Sequence, residues 1–101
     1  MTKITDSALQ KIEVLFIPED RDTARRLIEE QCGTNLPLTN HMGTEPEGFD
    51  RIRFAVLKLS KGNIKDLEYW IEQATIDWRD VLMAAGFGEN IHAHLKWNPK
   101  R

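Results

Sequence analysis

The sequence predicts an all-α protein, a compact bundle of five or six short helices. Three observations lead there. Apolar residues recur at spacings of three and four along most of the chain, the pattern of a helix with one buried face. Residues that start or stop helices, among them Thr5, Asp6, Pro18, Gly33, Gly62, Asn63 and Gly86, punctuate those stretches. Finally, 101 residues with 41% hydrophobic and 30% charged side chains suit one soluble helical domain over residues 1–101.

The first helix is expected from Asp6 to Ile17. Leu9, Ile12 and Phe16 fall at three-four spacing with Leu15 beside them, and Thr5 or Asp6 offers a capping oxygen to an otherwise unbonded backbone amide. A second helix begins near Pro18 to Asp20, where a first-position proline and the acids Glu19, Asp20 and Asp22 suit the positive end of a helix dipole. It runs through Ala24, Leu27 and Ile28 and stops at Cys32-Gly33. Thr34 to Gly48 reads as a long loop, with Pro37, Gly43, Pro46 and Gly48 among polar residues. Leu36, Leu38 and Met42 would pin it to the core, and loops of this length often carry a binding role.

Phe49 to Ser60 is the most apolar stretch. Phe49, Ile52, Val56 and Leu59 share a helical face, which Phe54 and Leu57 widen. Ile52, Phe54 and Val56 also alternate as a strand would, but the neighbouring segments are helical and the helix is preferred. It ends at Lys61-Gly62, and Asn63 caps another helix, Ile64 to about Thr75, that buries Leu67, Trp70, Ile71 and Ala74. At Thr75-Ile76-Asp77 two readings stand. Ile64, Leu67, Ile71, Ala74, Trp78, Val81 and Ala85 keep one continuous spacing, which allows a single long helix. Two β-branched residues ahead of Asp77, with Asp80 three positions on, resemble an N-terminal cap and favour a break. With the break, Asp77 to Ala85 is a short helix ended by Gly86-Phe87-Gly88, and Asn90 to Trp97 forms a last one before Pro99.

The run Arg51-Ile52-Arg53-Phe54-Ala55-Val56-Leu57-Lys58-Leu59-Ser60-Lys61-Gly62, followed by Asp77-Trp78-Arg79-Asp80-Val81-Leu82-Met83-Ala84-Ala85-Gly86-Phe87, resembles small uncharacterised bacterial proteins. The likeness extends towards His94 and Trp97, with a weaker match at Cys32 to Pro37. It implies a bacterial cytosolic domain and brings no catalytic residues with it.

Bulk features agree with a cytoplasmic location. Cys32 is the single cysteine, so no intramolecular disulfide can form, and a reducing compartment is natural. The first residues lack the long apolar region of an export signal, and no apolar stretch approaches the roughly 20 residues that span a bilayer. The net charge of -2 hides an asymmetry: residues 1–50 hold 5 basic and 10 acidic side chains, whereas residues 51–101 hold 9 and 6.

The positive half concentrates in Arg51, Arg53, Lys58, Lys61 and Lys65, a run without an acid. At 100° per residue Lys58 falls about 20° from Arg51, and Lys61 and Lys65 stay within about 80° if the helical phase continues past Gly62. Such a stripe is a solvated face, a docking face for a protein partner, or a phosphate contact for nucleic acid. An isoelectric point near 5.9 weighs against nucleic acid. Glu19, Asp20, Asp22, Glu29, Glu30, Glu45 and Glu47 could complement the stripe within the fold or across a self-association. Among the tryptophans, Trp78 is expected in the core. Trp97, beside Lys96, is the one expected at the surface, unless it docks with Ile91 and Leu95 as a terminal helix.

Catalytic and metal signals are weak. His92 and His94 would stand about 200° apart on a helix, too far round to share a metal without His41 or a carboxylate from elsewhere. Cys32, at a helix C-terminus, lies at the wrong end of a dipole for an activated thiolate. Asp77, Arg79 and Asp80 are explained by helix capping before acid-base catalysis is needed. No Gly-rich phosphate loop, GxSxG or metal-ligand spacing is present. The sequence therefore points to a non-catalytic module without cofactor or metal. It would bind a protein partner, or itself, through Arg51, Lys58, Lys61, Lys65, Trp97 and the Thr34 to Gly48 loop. A nucleic-acid-associated protein using residues 51–65 is the second reading, and a small enzyme the third.

Overall fold

Thr5 begins the first helix as its sequence position suggests. Its Oγ1 accepts the Ala8 N–H at 3.2 Å, and the chain then runs as α1, Asp6–Leu15. The computed structural model describes residues 3–33, 36, 49–90 and 92–99. Beyond α1 these residues form α2 (Pro18–Gln31), α3 (Asp50–Ser60), α4 (Ile64–Ala85) and a closing 3₁₀ turn (Ala93–Lys96). No strand occurs among the described residues, so the all-α class holds. Of the five or six expected helices, the described residues contain four. Apart from Leu36, which is buried and bonds through its N–H to the Gly33 carbonyl at 2.9 Å, the segment 34–48 lies outside them.

One expected break is present, and one boundary differs from expectation for a local reason. The break expected before Asp77 lies within Ile64–Ala85, where two helical runs meet at a kink and Asp77 caps the second. Asp77 leaves the helical region (φ -151°, ψ 94°) and its Oδ1 accepts the Arg79 N–H at 3.1 Å, while core residues continue on both sides. Thr75 Oγ1 donates to the Glu72 carbonyl at 2.6 Å, a back-bond that bends helices. The expected helix over Asn90–Trp97 is only the 3₁₀ turn. Asn90 draws the chain into a turn instead, its Oδ1 accepting the His92 N–H at 2.8 Å and its carbonyl the Ala93 N–H at 3.1 Å.

The core is built around α3. Every residue from Ile52 to Leu57 is buried, and α3 packs along α4 while also meeting α1 and the 3₁₀ turn. Phe16, Phe49 and Phe54 are each enclosed, and burial of such a ring stabilises by about 1.5–3 kcal/mol. α2 closes the assembly by packing on α1 and α4 through Ala24 and Ile28.

The turn between α3 and α4 depends on a glycine. Gly62 holds φ 82°, and a Cβ there would collide with the Leu15 carbonyl at the end of α1. Lys61 before it is also left-handed, at φ 53°, and Asn63 Oδ1 then accepts the Asp66 N–H at 3.0 Å to start α4. Gly62→Ala is expected to lose about 2–4 kcal/mol of unfolding free energy, the sum of backbone strain and the displaced α1 terminus. Urea denaturation followed by circular dichroism measures it, and a loss under about 0.5 kcal/mol would contradict the close approach.

Candidate functional site

The basic run on α3 divides by helical phase. Arg51 and Lys58, seven residues apart, turn toward the end of α4. Arg51 donates from Nε and Nη2 to the Phe87 carbonyl, at 3.2 and 2.6 Å, and from Nη2 to that of Gly88 at 3.2 Å. Lys58 Nζ donates to the Ala85 carbonyl at 2.8 Å and lies 4.9 Å from the centre of the Phe87 ring. The Ala85 carbonyl is one that a helix C-terminus leaves without an intrahelical donor, at the negative end of the dipole, and those of Phe87 and Gly88 belong to the turn that follows. Gly86, at φ 83°, turns the chain so that Phe87 N–H reaches the Leu82 carbonyl at 2.9 Å and exposes them to both cations. Lys61 and Lys65, beyond the end of α3, are exposed.

Arg53 faces the other way. Two residues from Arg51 and so about 200° round the helix, it is fully enclosed, with 0% of its surface exposed. Nε donates to the Cys32 carbonyl at the end of α2 (2.6 Å), and Nη1 to the Lys3 carbonyl ahead of α1 (3.0 Å). Its guanidinium stacks 5.6 Å from the Phe49 ring centre. Carboxylates surround it. Thr5 Oγ1 donates to both Asp50 oxygens (2.9 and 3.0 Å), and Glu29 Oε2 accepts the Ile4 N–H at 3.1 Å. Burial pulls the Arg53 pKa below its ordinary value, while Cys32, Asp50 and Glu29 oppose the shift. Burial also pushes the Cys32 thiol up to about 12, against the pull of Arg53, so it stays protonated at neutral pH.

Two of the α2 acids, Asp22 and Glu29, pair with that helix's own arginines. Arg25 bonds Asp22 at 2.7 Å and also Glu29, and Arg26 lies 3.4 Å from Asp22. Trp97 is half-buried. Its ring centre lies 6.1 Å from that of Phe54 and 6.3 Å from that of Phe87, which tethers the segment after the 3₁₀ turn to α3. His94 is buried edge-on to Phe54 at 5.5 Å, whereas His92 is exposed, so the two histidines do not converge. His41 lies outside the described residues. No group of three or more metal-ligating side chains occurs among the described residues, and no helix there is long and apolar enough to cross a membrane.

An open groove of about 340 Å³ lies where α4 ends, lined by Arg51, Trp78, Arg79, Leu82, Met83 and Gly88. It has an apolar floor and two guanidinium walls, and Arg79 stacks 5.4 Å from the Trp78 ring centre. From this groove the outward side of α4 carries three large apolar side chains in the open: Met83 (59% exposed), Ile76 (71%) and Tyr69 (53%). The sequence reading assigned Arg51 to a binding face but missed Arg79, Met83 and Ile76. Their signal was the inward spacing of α4, whose complement they occupy. No family model, curated protein or solved structure matches the chain.

Lys11 is a second buried cation that the sequence did not flag. It is 5% exposed, its Nζ donates to Ser7 Oγ at 3.3 Å and lies 4.3 Å from the Phe54 ring centre. Burial lowers its pKa below 10.5, with Asp50 pulling the other way. A base whose folded pKa lies below its unfolded value binds fewer protons when folded, so its contribution to stability rises with pH between those two values. Lys11→Met removes the desolvated ammonium and keeps a side chain over Phe54. The variant is expected to be at least as stable as wild type at pH 7, with its advantage shrinking as pH climbs towards 10.5. Urea midpoints across that range test the sign, and a widening advantage would contradict it.

Proposed function

We propose that this chain is a non-catalytic protein-interaction module whose working face is the outward side of α4 together with the groove at its end. One observation carries the proposal: Tyr69, Ile76 and Met83 stand exposed on the same helix that leads into a groove walled by Arg51 and Arg79. Large exposed apolar side chains next to arginine are the composition of interface anchors rather than of an ordinary solvated surface. The occupant that fits is a protein segment presenting acidic groups beside apolar ones, the acids for the guanidinium groups and the apolar side chains for Trp78, Leu82 and Met83.

Several features support a binding role over catalysis. The Cys32 thiol is enclosed and held in its protonated form, and Asp77 is occupied as a helix cap. Arg51 and Lys58 already hold backbone carbonyls, which fixes them in place and lets them present charge from a rigid base. The resemblance of residues 51–62 and 77–87 to small bacterial proteins supports placing the module in a bacterial cytoplasm.

A photo-reactive phenylalanine analogue at position 83 tests the proposal in living cells, with position 26 on α2 as an exposed control. Irradiation is expected to give a discrete adduct from position 83 alone, destroyed by protease and resistant to nuclease. Absence of an adduct would contradict the proposal, and a nuclease-sensitive adduct would favour the nucleic-acid reading instead.

A further inference from the structure

The groove at the end of α4 carries charge that its own walls do not answer. Arg51 and Arg79 both line it, and no carboxylate does among the described residues. The two arginines are engaged differently. Arg51 spends Nε and Nη2 on the Phe87 and Gly88 carbonyls, which fixes the plane of its guanidinium and leaves Nη1 without a hydrogen bond among the described residues. Arg79 is exposed and stacks on Trp78, its side chain making no hydrogen bond or ion pair among those residues. The rest of the lining is Trp78, Leu82, Met83 and the bare backbone of Gly88.

We propose that this groove receives the C-terminal end of a partner polypeptide, its free carboxylate on Arg51 and Arg79 and its last side chain, an apolar one, on Trp78, Leu82 and Met83. The inference rests on the interaction-module reading and names the part of the partner that docks.

Two guanidinium groups without an acid call for an anion, and their planar, paired N–H groups match the two oxygens of a carboxylate. A phosphate is served better by backbone amides, and here those are spent. The Gly86 N–H goes to the Met83 carbonyl at 3.1 Å and the Phe87 N–H to that of Leu82 at 2.9 Å. What the turn offers instead is carbonyl oxygen, which no anion can use.

Size and connectivity then select a chain end. At about 340 Å³ the groove stands at the small end of the roughly 300–1,000 Å³ found for ligand sites. A helix, about 10 Å across, is too broad to sink into it. In an extended segment neighbouring side chains point to opposite sides, and those on one side stand about 7 Å apart, so an internal acid and its apolar neighbour cannot share so small a groove. At a chain end the carboxylate and the last side chain leave the same Cα, which supplies both groups within one residue.

The test is fluorescence polarisation of dye-labelled Gly-Ser hexapeptides ending in Leu, Phe or Met, titrated with the full chain. At least one is expected to bind with a Kd of about 10–500 µM, and its C-terminal amide about tenfold more weakly. Arg79→Gln should weaken the free acid about tenfold and leave the amide within about twofold, whereas Arg26→Gln on α2 should change neither by more than about twofold. Both arginines are exposed, so both variants should keep the circular dichroism and melting temperature of wild type. The proposal is overturned if no free acid binds more tightly than its amide, or if Arg79→Gln binds like wild type. It is also overturned if a peptide with an internal Asp or Glu binds as tightly as the terminal acid, which assigns the groove to an acidic segment. Displacement by inorganic phosphate at about 1 mM or less would overturn it in favour of a phosphate group. If every free acid fails yet position 83 still captures a protein in cells, the chain-end reading falls and the interaction module stands. If both experiments are negative, both fall.

Discussion

Arg53 is the constraint from which the rest of the arrangement follows. A guanidinium enclosed in the middle of the most apolar helix must have its N–H groups satisfied, because an unmet buried donor costs about 1–3 kcal/mol and more when charged. Backbone carbonyls from two separate places answer it: Cys32 at the end of α2 and Lys3 ahead of α1. Asp50 and Glu29 add negative charge nearby while anchoring Thr5 and Ile4. The short segment before α1 is thus clipped between α2 and α3, and the position of α1 is set before any of its apolar contacts are counted.

With that side of α3 committed to α1 and α2, its opposite side is free to hold α4. Arg51 and Lys58 take the carbonyls at the α4 terminus, and the glycine at Gly86 presents those carbonyls to them. Positive charge that looks like a surface stripe in the sequence therefore works as a pair of clamps, one to each side of the same helix. What remains outward on α4 is a seam of Tyr69, Ile76 and Met83 with a groove at its end, held on a rigid support. In the proposed binding role, a face held in place by these contacts would lose less conformational freedom when a partner docks.

Much of the fold is legible from local chemistry. Thr5, Asn63, Gly62 and Gly86 cap or turn as their side chains, or lack of one, require, and the spacing of Leu67, Ile71, Ala74, Val81 and Ala85 marks the buried side of α4. At Asp77 the cap chemistry that favours a break is what the backbone follows, while the core spacing continues across the kink. Arg53 was hidden by its residue type. Its neighbours at three and four positions, Phe49, Val56 and Leu57, are all buried, so periodicity alone places it inside, but a charge is assigned to the surface by default. Its carbonyl partners are 21 and 50 residues away, and no local pattern could supply them. The α4 seam was obscured in the same way, because exposure of Ile76 and Met83 depends on which elements cover the helix.

The most direct test of this account is the unfolding free energy of Arg53→Met beside that of Lys65→Met, measured by urea denaturation of the full chain. Removing the guanidinium leaves the Cys32 and Lys3 carbonyls and the nearby carboxylates without their buried cation. A loss of about 3 kcal/mol or more is expected, while the exposed Lys65 substitution changes stability by no more than about 0.5 kcal/mol. An Arg53→Met protein as stable as wild type, or more so, would show that an apolar side chain serves as well at that position and would contradict the place given to Arg53.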